Sequence, residues 1–226
     1  MNDSSQASDD RIARLRALDA CAVSDALDRH GLAGVAYGIS RSSGSGRIVG
    51  RVLTMRLGPA DGTPSPRHLG TQAVEAAGPG EVIVVEHHST TACAGWGGIL
   101  SFAARQRGIE GVVVDGMCRD IDEAIELGFP VFARGTVPAT ARGRVREIEF
   151  QQPVTISGVP VCPGDFIVAD GSGVVFIPAA HIGTVLDTAE MLQQREAQMI
   201  EAIRAGASVG DVMNHRYETM LKASHD

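Results

Sequence analysis

Aromatic residues make up only 4% of this 226-residue chain, so its core must be built from valine, isoleucine, leucine and alanine rather than from large rings. The four cysteines (Cys21, Cys93, Cys118 and Cys162) stand far apart with no C-x-x-C pair. That spacing argues against a structural zinc site and fits reduced thiols in a cytoplasmic protein. Lysine and arginine form no dense run, and the net charge is −7 with an isoelectric point near 5.5. A phosphate-backbone binder is therefore not expected, and nucleic acid is excluded as a partner. No apolar run is long enough to cross a bilayer and no charged-then-apolar leader opens the chain, so no membrane is expected either. G-x-G-x-x-G after a first strand and the P-loop pattern are both missing, which leaves Rossmann-type cofactor binding and P-loop chemistry without support. No repeat, low-complexity segment or linker divides the chain, which points to a single domain.

What the chain has in quantity is glycine, 27 residues of it, and hence many tight turns. Met1–Asp9 is polar and expected to be a disordered N-terminal tail, leaving residues 10–226 as the folded domain. Apolar residues at helical spacing between Ile12 and His30 predict two short helices stopped by Gly31. Arg47–Leu57 alternates as a strand, and a loop broken by Pro64 and Pro66 follows. His68–Ala77 reads as a helix, Val82–Val85 as a strand, and a glycine-rich turn then leads into a helix from about Ser101 to Arg107. Val112–Val114 is a β-branched strand, and Asp120–Leu127 a helix stopped by Gly128. Phe129–Ala133 is a short strand, Arg146–Pro178 a series of short strands and turns, and Ile182–Arg204 a long C-terminal helix. Helices alternating with strands, then strands clustering in the last third, predict a layered α/β sandwich rather than a doubly wound sheet.

Two segments carry the chemistry. In "GWGGILSFAARQRG", Gly95, Gly97 and Gly98 allow close backbone approach to a ligand, and the following helix aims free N–H groups at it. The alternative is a turn needed only for packing. In "RDIDE", Asp120 and Glu123 suit a capping box, but that leaves Arg119 unexplained, because a cation is unfavourable at a helix N-terminus. A functional reading covers all three: Arg119 grips a carboxylate in forked geometry, and Asp120 holds a hard divalent cation that keeps most of its waters. Two such turns on adjacent parallel strands would bring both helix starts to one sheet edge, where a small dicarboxylate or 2-oxo acid would fit.

"GWGGIL…RGIEGVVVDGMCRDIDEA…GFPVFARG" resembles the RraA-like superfamily. That group includes class II 4-hydroxy-4-methyl-2-oxoglutarate aldolases with oxaloacetate decarboxylase activity, and regulators of ribonuclease E. The resemblance covers roughly Val23–Met199 and implies a β/β/α sandwich of the swivelling-domain type, assembled as a homotrimer or homohexamer. It also implies a metal-dependent carbon–carbon lyase acting on a 2-oxo acid through a pyruvate enolate, with Mg²⁺ or Mn²⁺ as cofactor. By the same resemblance the amides of Gly97, Gly98, Ile99 and Leu100 bind the pyruvate unit together with Arg119, and Asp120 binds the metal.

The chain departs from the fuller aldolase pattern at Gly98, where that pattern has an acid that helps deprotonate the substrate hydroxyl. Glu123 does match a third acidic position that the ribonuclease regulators tend to lack. Retro-aldol cleavage needs a base for the C4 hydroxyl, and decarboxylation does not, so Gly98 tilts the expectation toward decarboxylation or toward another base. His68, Glu86, His87 and His88 are the candidates. Glu196 interrupts an apolar stripe of Ala189, Leu192, Met199 and Ile203. The resemblance implies that such an acid reaches a neighbouring subunit's metal through water; a subunit-interface salt bridge is the alternative. The competing function is a non-enzymatic regulator that binds a ribonuclease or another protein. A third is action on a sugar acid or other hydroxy-oxo acid, with Arg67 or His68 at the distal end of the substrate.

Overall fold

The computed structural model describes residues 3–62, 67–88, 90 and 92–213. Helices α1 (Asp3–Arg16) and α2 (Ala20–Arg29) lead into β1 (Ser40–Ser43) and the long β2 (Ile48–Pro59). Then come α3 (Thr71–Ala76), β3 (Glu81–Glu86), β4 (Ala94–Trp96), α4 (Gly98–Gln106), β5 (Gly111–Cys118), α5 (Ile121–Glu126) and β6 (Val131–Thr136). Short strands follow: β7 (Val145–Phe150), β8 (Val154–Ile156), β9 (Val159–Val161), β10 (Phe166–Ala169) and β11 (Val174–Ile177). The chain continues into α6 (Ile182–Arg204) and α7 (Val209–Val212).

Nine strands form one mixed sheet in the order β1-β6-β5-β3-β2-β10-β11, with β4 added alongside β5 and β7 alongside β2. β2 bends the sheet. Its first four residues pair with β10, and its last five, Met55 to Pro59, pair with β7 through an irregularity at Arg56/Leu57. Alternation along β2 sorts the two faces. Val49, Leu53, Met55 and Leu57 face the helices, whereas Ile48 and Val52 face the inner side of the curl. Two helix groups cover the outer face. The group α3, α4 and α5 lies over Leu53, Ile83, Val85, Val112 and Val114. The group α1, α2 and α6 lies over Val49, Phe166, Val168 and Ile177. The inner face closes around Val84, Val113, Phe132 and Ile167 and is capped by the β8–β9 hairpin. The expected layered β/β/α sandwich in a single domain is the observed one.

Two buried carboxylates secure the hairpin. Glu86 accepts from Arg56 Nε at 2.6 Å and from the Thr155 N–H at 3.2 Å. Asp115, its register partner on β5, accepts from Arg134 and from the Ser157 N–H at 2.9 Å. Each buried charge is thus paired and also hydrogen-bonded to the backbone, the condition under which burial is tolerated.

Several boundaries differ from the sequence reading: α3 begins at Thr71 rather than His68, β6 runs over Val131–Thr136 rather than Phe129–Ala133, and three others have a clear physical reason. Helix α1 begins at Asp3, inside the segment expected to be a disordered tail; Leu15 docks on α6 and the sheet, and a helix once nucleated there extends at little cost. Helix α4 begins at Gly98 rather than near Ser101, because Gly97 in extended conformation brings the turn directly into helix. Helix α5 excludes Asp120 itself. No helix among the described residues is long and apolar enough to cross a membrane.

His87 is fully buried, with its ring in the space left by Gly95 and Gly116 and its Nε2 2.8 Å from the Cys93 carbonyl oxygen. Burial holds its pKa below the ordinary 6.5. The unfolded chain therefore binds more protons, and the stability His87 confers is present above pH 6.5 and lost as pH falls through the depressed folded value. His68, also lowered by burial, acts in the same sense. Urea unfolding should show stability declining from about pH 7.5 to 5.5, with a shallower slope in His87→Gln. An unchanged slope in that variant would rule out the assignment.

Candidate active site

β4 and β5 lie side by side and parallel, with Ala94 beside Met117 and Trp96 beside Cys118. Each runs directly into a helix, α4 after Gly97 and α5 after Arg119 and Asp120. Both helix starts thus meet at the carboxyl edge of the sheet, where open α/β sheets bind ligands. The Arg119 N–H donates to the Trp96 carbonyl at 3.0 Å and ties the two turns together. The buried Trp96 indole donates to Ser101 Oγ at 3.0 Å, and that hydroxyl donates to the Gly97 carbonyl at 3.2 Å, which fixes the first turn from behind.

Asp120 adopts the left-handed conformation (φ 56°, ψ 41°), which costs a non-glycine residue about 1–2 kcal/mol. Its side chain makes no capping bond to α5, so the capping-box alternative does not hold. Instead Oδ2 accepts the Gly98 N–H at 3.0 Å, and the two carboxylate oxygens lie 3.1 and 3.2 Å from Arg119 Nε. Among the described residues only Nε of Arg119 is used, which leaves its two terminal amino groups for an anion. The N–H groups of Ile99 and Leu100, in the first turn of α4, make no hydrogen bond among the described residues. A cavity of about 510 Å³ opens on this edge, lined by Gly97, Gly98, Ile99, Leu100, Arg119 and Asp120 on the sheet side, and also by His68, Thr140 and Arg142. The two turns singled out in the sequence are thus brought into one site.

Gly98 has a local explanation. A Cβ there would overlap the Glu123 carboxylate and would come within 3.1 Å of Asp120 Cβ. At Gly97 a Cβ would meet Asp120 Oδ2 at 2.8 Å. Glu123 therefore occupies the space into which an acid at position 98 would project. It also lines the groove that continues from Arg119 and Asp120.

The other base candidates separate clearly. His68 lines the cavity, and burial and the nearby charge of Arg142 lower its pKa. Glu86, His87 and His88 lie outside the cavity lining. Glu86 is held by Arg56 under the hairpin, His87 just past the end of β3 is buried against Gly95 and Gly116, and His88 lies in the turn beyond it with a φ of 51°. Arg67 is paired with Glu75 and also lies off the cavity. Glu196 is on α6, against α2 rather than near the cavity of its own chain, and its carboxyl is raised by burial and by Asp25 and Asp19. Arg142 carried no distinguishing pattern in the sequence, and only the fold brings it to the site.

The donor set bears on which metal fits. Among the described residues there is no group of three or more histidine, cysteine or acidic side chains able to hold an ion. A lone carboxylate on an open cavity does not suit a closed zinc cage. It does suit Mg²⁺ or Mn²⁺, which take one or two carboxylates and complete the shell with water or ligand oxygens.

Comparison with known proteins follows the same lines. The chain is 34% identical over 200 residues to a putative 4-hydroxy-4-methyl-2-oxoglutarate aldolase of Halalkalibacterium halodurans, covering 88% of this chain and 91% of that one. It is 29% identical over 187 residues to protein DlpA of Legionella pneumophila, and that match covers 83% of this chain but only 30% of DlpA. The fold matches the crystal structure of an uncharacterized protein from Pseudomonas syringae with a TM-score of 0.83 at 32% identity, covering 91% and 98% of the two chains. It matches Streptomyces coelicolor RraAS2, described as an unusual member of the RNase ES inhibitor RraA family, with a TM-score of 0.76 at 25% identity, covering 83% and 94%. The family profile described as Aldolase/RraA matches residues 20–176, and with these relatives it establishes that the chain belongs to the RraA-like family.

Proposed function

We propose that this chain is a divalent-metal-dependent lyase that cleaves a carbon–carbon bond of a 2-oxo acid through a pyruvate enolate, by retro-aldol cleavage, decarboxylation or both. One observation carries the reading: Asp120, Arg119 and the Gly97–Leu100 turn converge on a cavity, with the Glu123 carboxylate filling the space at Gly98. The aldolase name of the Halalkalibacterium relative supports it. So does lysine usage. The whole sequence has one lysine, Lys222, outside the described residues, and a Schiff-base aldolase requires a lysine amine.

In this reading the substrate's 2-oxo carboxylate lies against the free N–H groups of Ile99 and Leu100 and the terminal amino groups of Arg119. Fixed donors of this kind stabilise charge that develops on the enolate. A bound Mg²⁺ or Mn²⁺ ion, with Asp120 as its carboxylate ligand, would supply Lewis-acid stabilisation of the same charge. Glu123 takes the proton from the C4 hydroxyl, directly or through a water, as the group that stands in for the acid absent at position 98. Decarboxylation of oxaloacetate uses the same enolate stabilisation and has no need of Glu123.

We also assign the working form to a trimer or to a hexamer made from two trimers. Ile99 (84% exposed) and Phe102 (53%) line an apolar groove directly beside the site, which a second copy would cover. The last turns of α6 expose Ile200 and Ile203, apolar surface that a second copy would cover, and we assign Glu196, one turn before them, to a neighbour's site. Four unpaired cysteines fit a cytoplasmic protein.

The alternative, a non-enzymatic regulator of a ribonuclease, draws on the RraAS2 likeness. It gives no reason for Arg119, Asp120 and Glu123 to meet at a cavity. Pyruvate release from 4-hydroxy-4-methyl-2-oxoglutarate and from oxaloacetate should require Mg²⁺, stop with chelator and fall about 1,000-fold in Arg119→Ala. Glu123→Gln should lose about 100-fold in retro-aldol cleavage while keeping decarboxylation, and Gly98→Ala should reproduce that defect by displacing Glu123. Equal loss of both reactions in Glu123→Gln would contradict its role as base. No turnover of either substrate, together with no oxalate binding, would leave the regulator. Sedimentation should give a trimer or hexamer, and a monomer at micromolar concentration would contradict the assembly.

A further inference from the structure

Behind the first turn of the site two polar side chains are buried together. Trp96 is 2% exposed and Ser101 1%, and the indole Nε1 lies 3.0 Å from Ser101 Oγ. An indole N–H can only donate, so the hydroxyl oxygen accepts it and the hydroxyl proton is free for another acceptor. That acceptor is the Gly97 carbonyl, 3.2 Å away. The same carbonyl takes the Ser101 backbone N–H at 3.0 Å, so both of its lone pairs are used. A serine hydroxyl bonded to the carbonyl four residues earlier is commonplace in helices and by itself implies no more than local packing. Two features separate this one. Its oxygen is held by a second buried donor, and the carbonyl it reaches belongs to the peptide group that ends at the Gly98 N–H.

That N–H donates to Asp120 Oδ2 at 3.0 Å. One continuous chain of donors therefore runs from the Trp96 indole through the Ser101 hydroxyl and the Gly97–Gly98 peptide to the Asp120 carboxylate. Donation to a peptide oxygen draws electron density from the peptide nitrogen and strengthens its N–H as a donor, and consecutive bonds in a buried chain reinforce one another. Trp96 also sets the other half of the Arg-Asp pair, because its own carbonyl accepts the Arg119 N–H at 3.0 Å. Its ring is held from the far side as well. A Cβ added at Gly70 would lie 3.5 Å from Trp96 Cζ3 and 2.9 Å from Leu100 Cδ1, so the backbone just ahead of α3 closes over it.

At the end of the chain the two Asp120 oxygens are unequal. Oδ2 receives both the Gly98 N–H and Arg119 Nε, whereas Oδ1 receives Arg119 Nε alone. A carboxylate oxygen has about two acceptor positions, so among the described residues Oδ1 keeps one open and Oδ2 keeps none. We propose that Trp96 and Ser101 are positioning residues for Asp120: through the Gly97–Gly98 peptide they hold Oδ2 and so present Oδ1 to the divalent cation. This rests on the metal site proposed above. Neither side chain is assigned a contact with ion or substrate. They act as outer partners that orient a metal-ligating group, and losing such a partner weakens metal binding about 10- to 100-fold.

Ser101→Ala and Trp96→Phe break the chain at different links, and Ser101→Thr keeps the hydroxyl. Mn²⁺ titration followed by electron paramagnetic resonance should show about 10-fold weaker binding in each of the first two variants. The double variant should be no weaker than either single one, because links of one chain do not add. Ser101→Thr should recover most of the affinity. A second readout needs no metal. In nuclear magnetic resonance spectra of the metal-free protein the Gly98 amide proton should move upfield in Ser101→Ala while those of Ile99 and Leu100 stay in place, a selectivity that a packing defect would not produce. Wild-type Mn²⁺ affinity in both single variants, additive losses in the double variant, or an unmoved Gly98 proton would overturn the assignment of Trp96 and Ser101 and leave the metal site standing. If wild type binds no Mn²⁺, the metal site is wrong and the role given to these two residues falls with it. Thermal unfolding of each variant checks that it folds, and should one of the two fail to fold, the other decides.

Discussion

The Asp120 carboxylate, held between the Gly98 N–H and Arg119 Nε, is the contact on which the arrangement of the site depends. It joins the start of α4 to the start of α5, and it requires particular residues on both sides. Asp120 must take a left-handed backbone to turn away from the α5 axis, and aspartate accepts that conformation more readily than most residues. Gly97 and Gly98 must lack side chains, because Asp120 and Glu123 take the space. Arg119, drawn in through Nε, lines the cavity with its terminal amino groups unbonded among the described residues. A cation at a helix start, unfavourable in isolation, becomes reasonable here: one carboxylate already lies beside it, and the proposed substrate brings another.

The scaffold keeps this group of charges apart from others that are chemically similar. Glu86 and Asp115 are more deeply buried than Asp120 and sit on the central strands, yet each is saturated by an arginine and a backbone N–H of the β8–β9 hairpin. Their work is to fasten that hairpin over the inner core. Asp120, Glu123 and Arg142 are less buried, and part of their bonding capacity is open to the cavity or the grooves beside it. Burial alone would have picked the wrong carboxylates. The distinction lies in which donors and acceptors the fold leaves unused.

Much of this was legible in the sequence, for reasons that differ by element. The helix Ile182–Arg204 was readable from end to end because its apolar period persists over many turns. The pairing of the two strand–turn–helix units could be anticipated because a glycine turn and an Arg-Asp pair each made sense only beside an anion. Local pattern did not reveal contacts between distant positions. That Glu123 fills the space at Gly98 follows from β4 lying parallel to β5, so a residue that read as a missing acid is one side of an exchange in space. Glu86, His87 and His88 were titratable and near the motif in sequence, but the hairpin holds Glu86, the Cys93 carbonyl holds the buried His87, and His88 lies in the turn after β3. Arg142 was invisible, because one arginine among several in a loop becomes distinctive only when the fold brings it to the cavity.

The central claim is that Asp120 and Arg119 form one metal and enolate site, and Mn²⁺ binding followed by electron paramagnetic resonance tests it most directly. Wild type should bind one Mn²⁺ per chain, Asp120→Asn should lose that site, and oxalate should alter the bound-ion spectrum in wild type but not in Arg119→Ala. Mn²⁺ bound equally well by Asp120→Asn, or a wild-type spectrum indifferent to oxalate, would contradict the account.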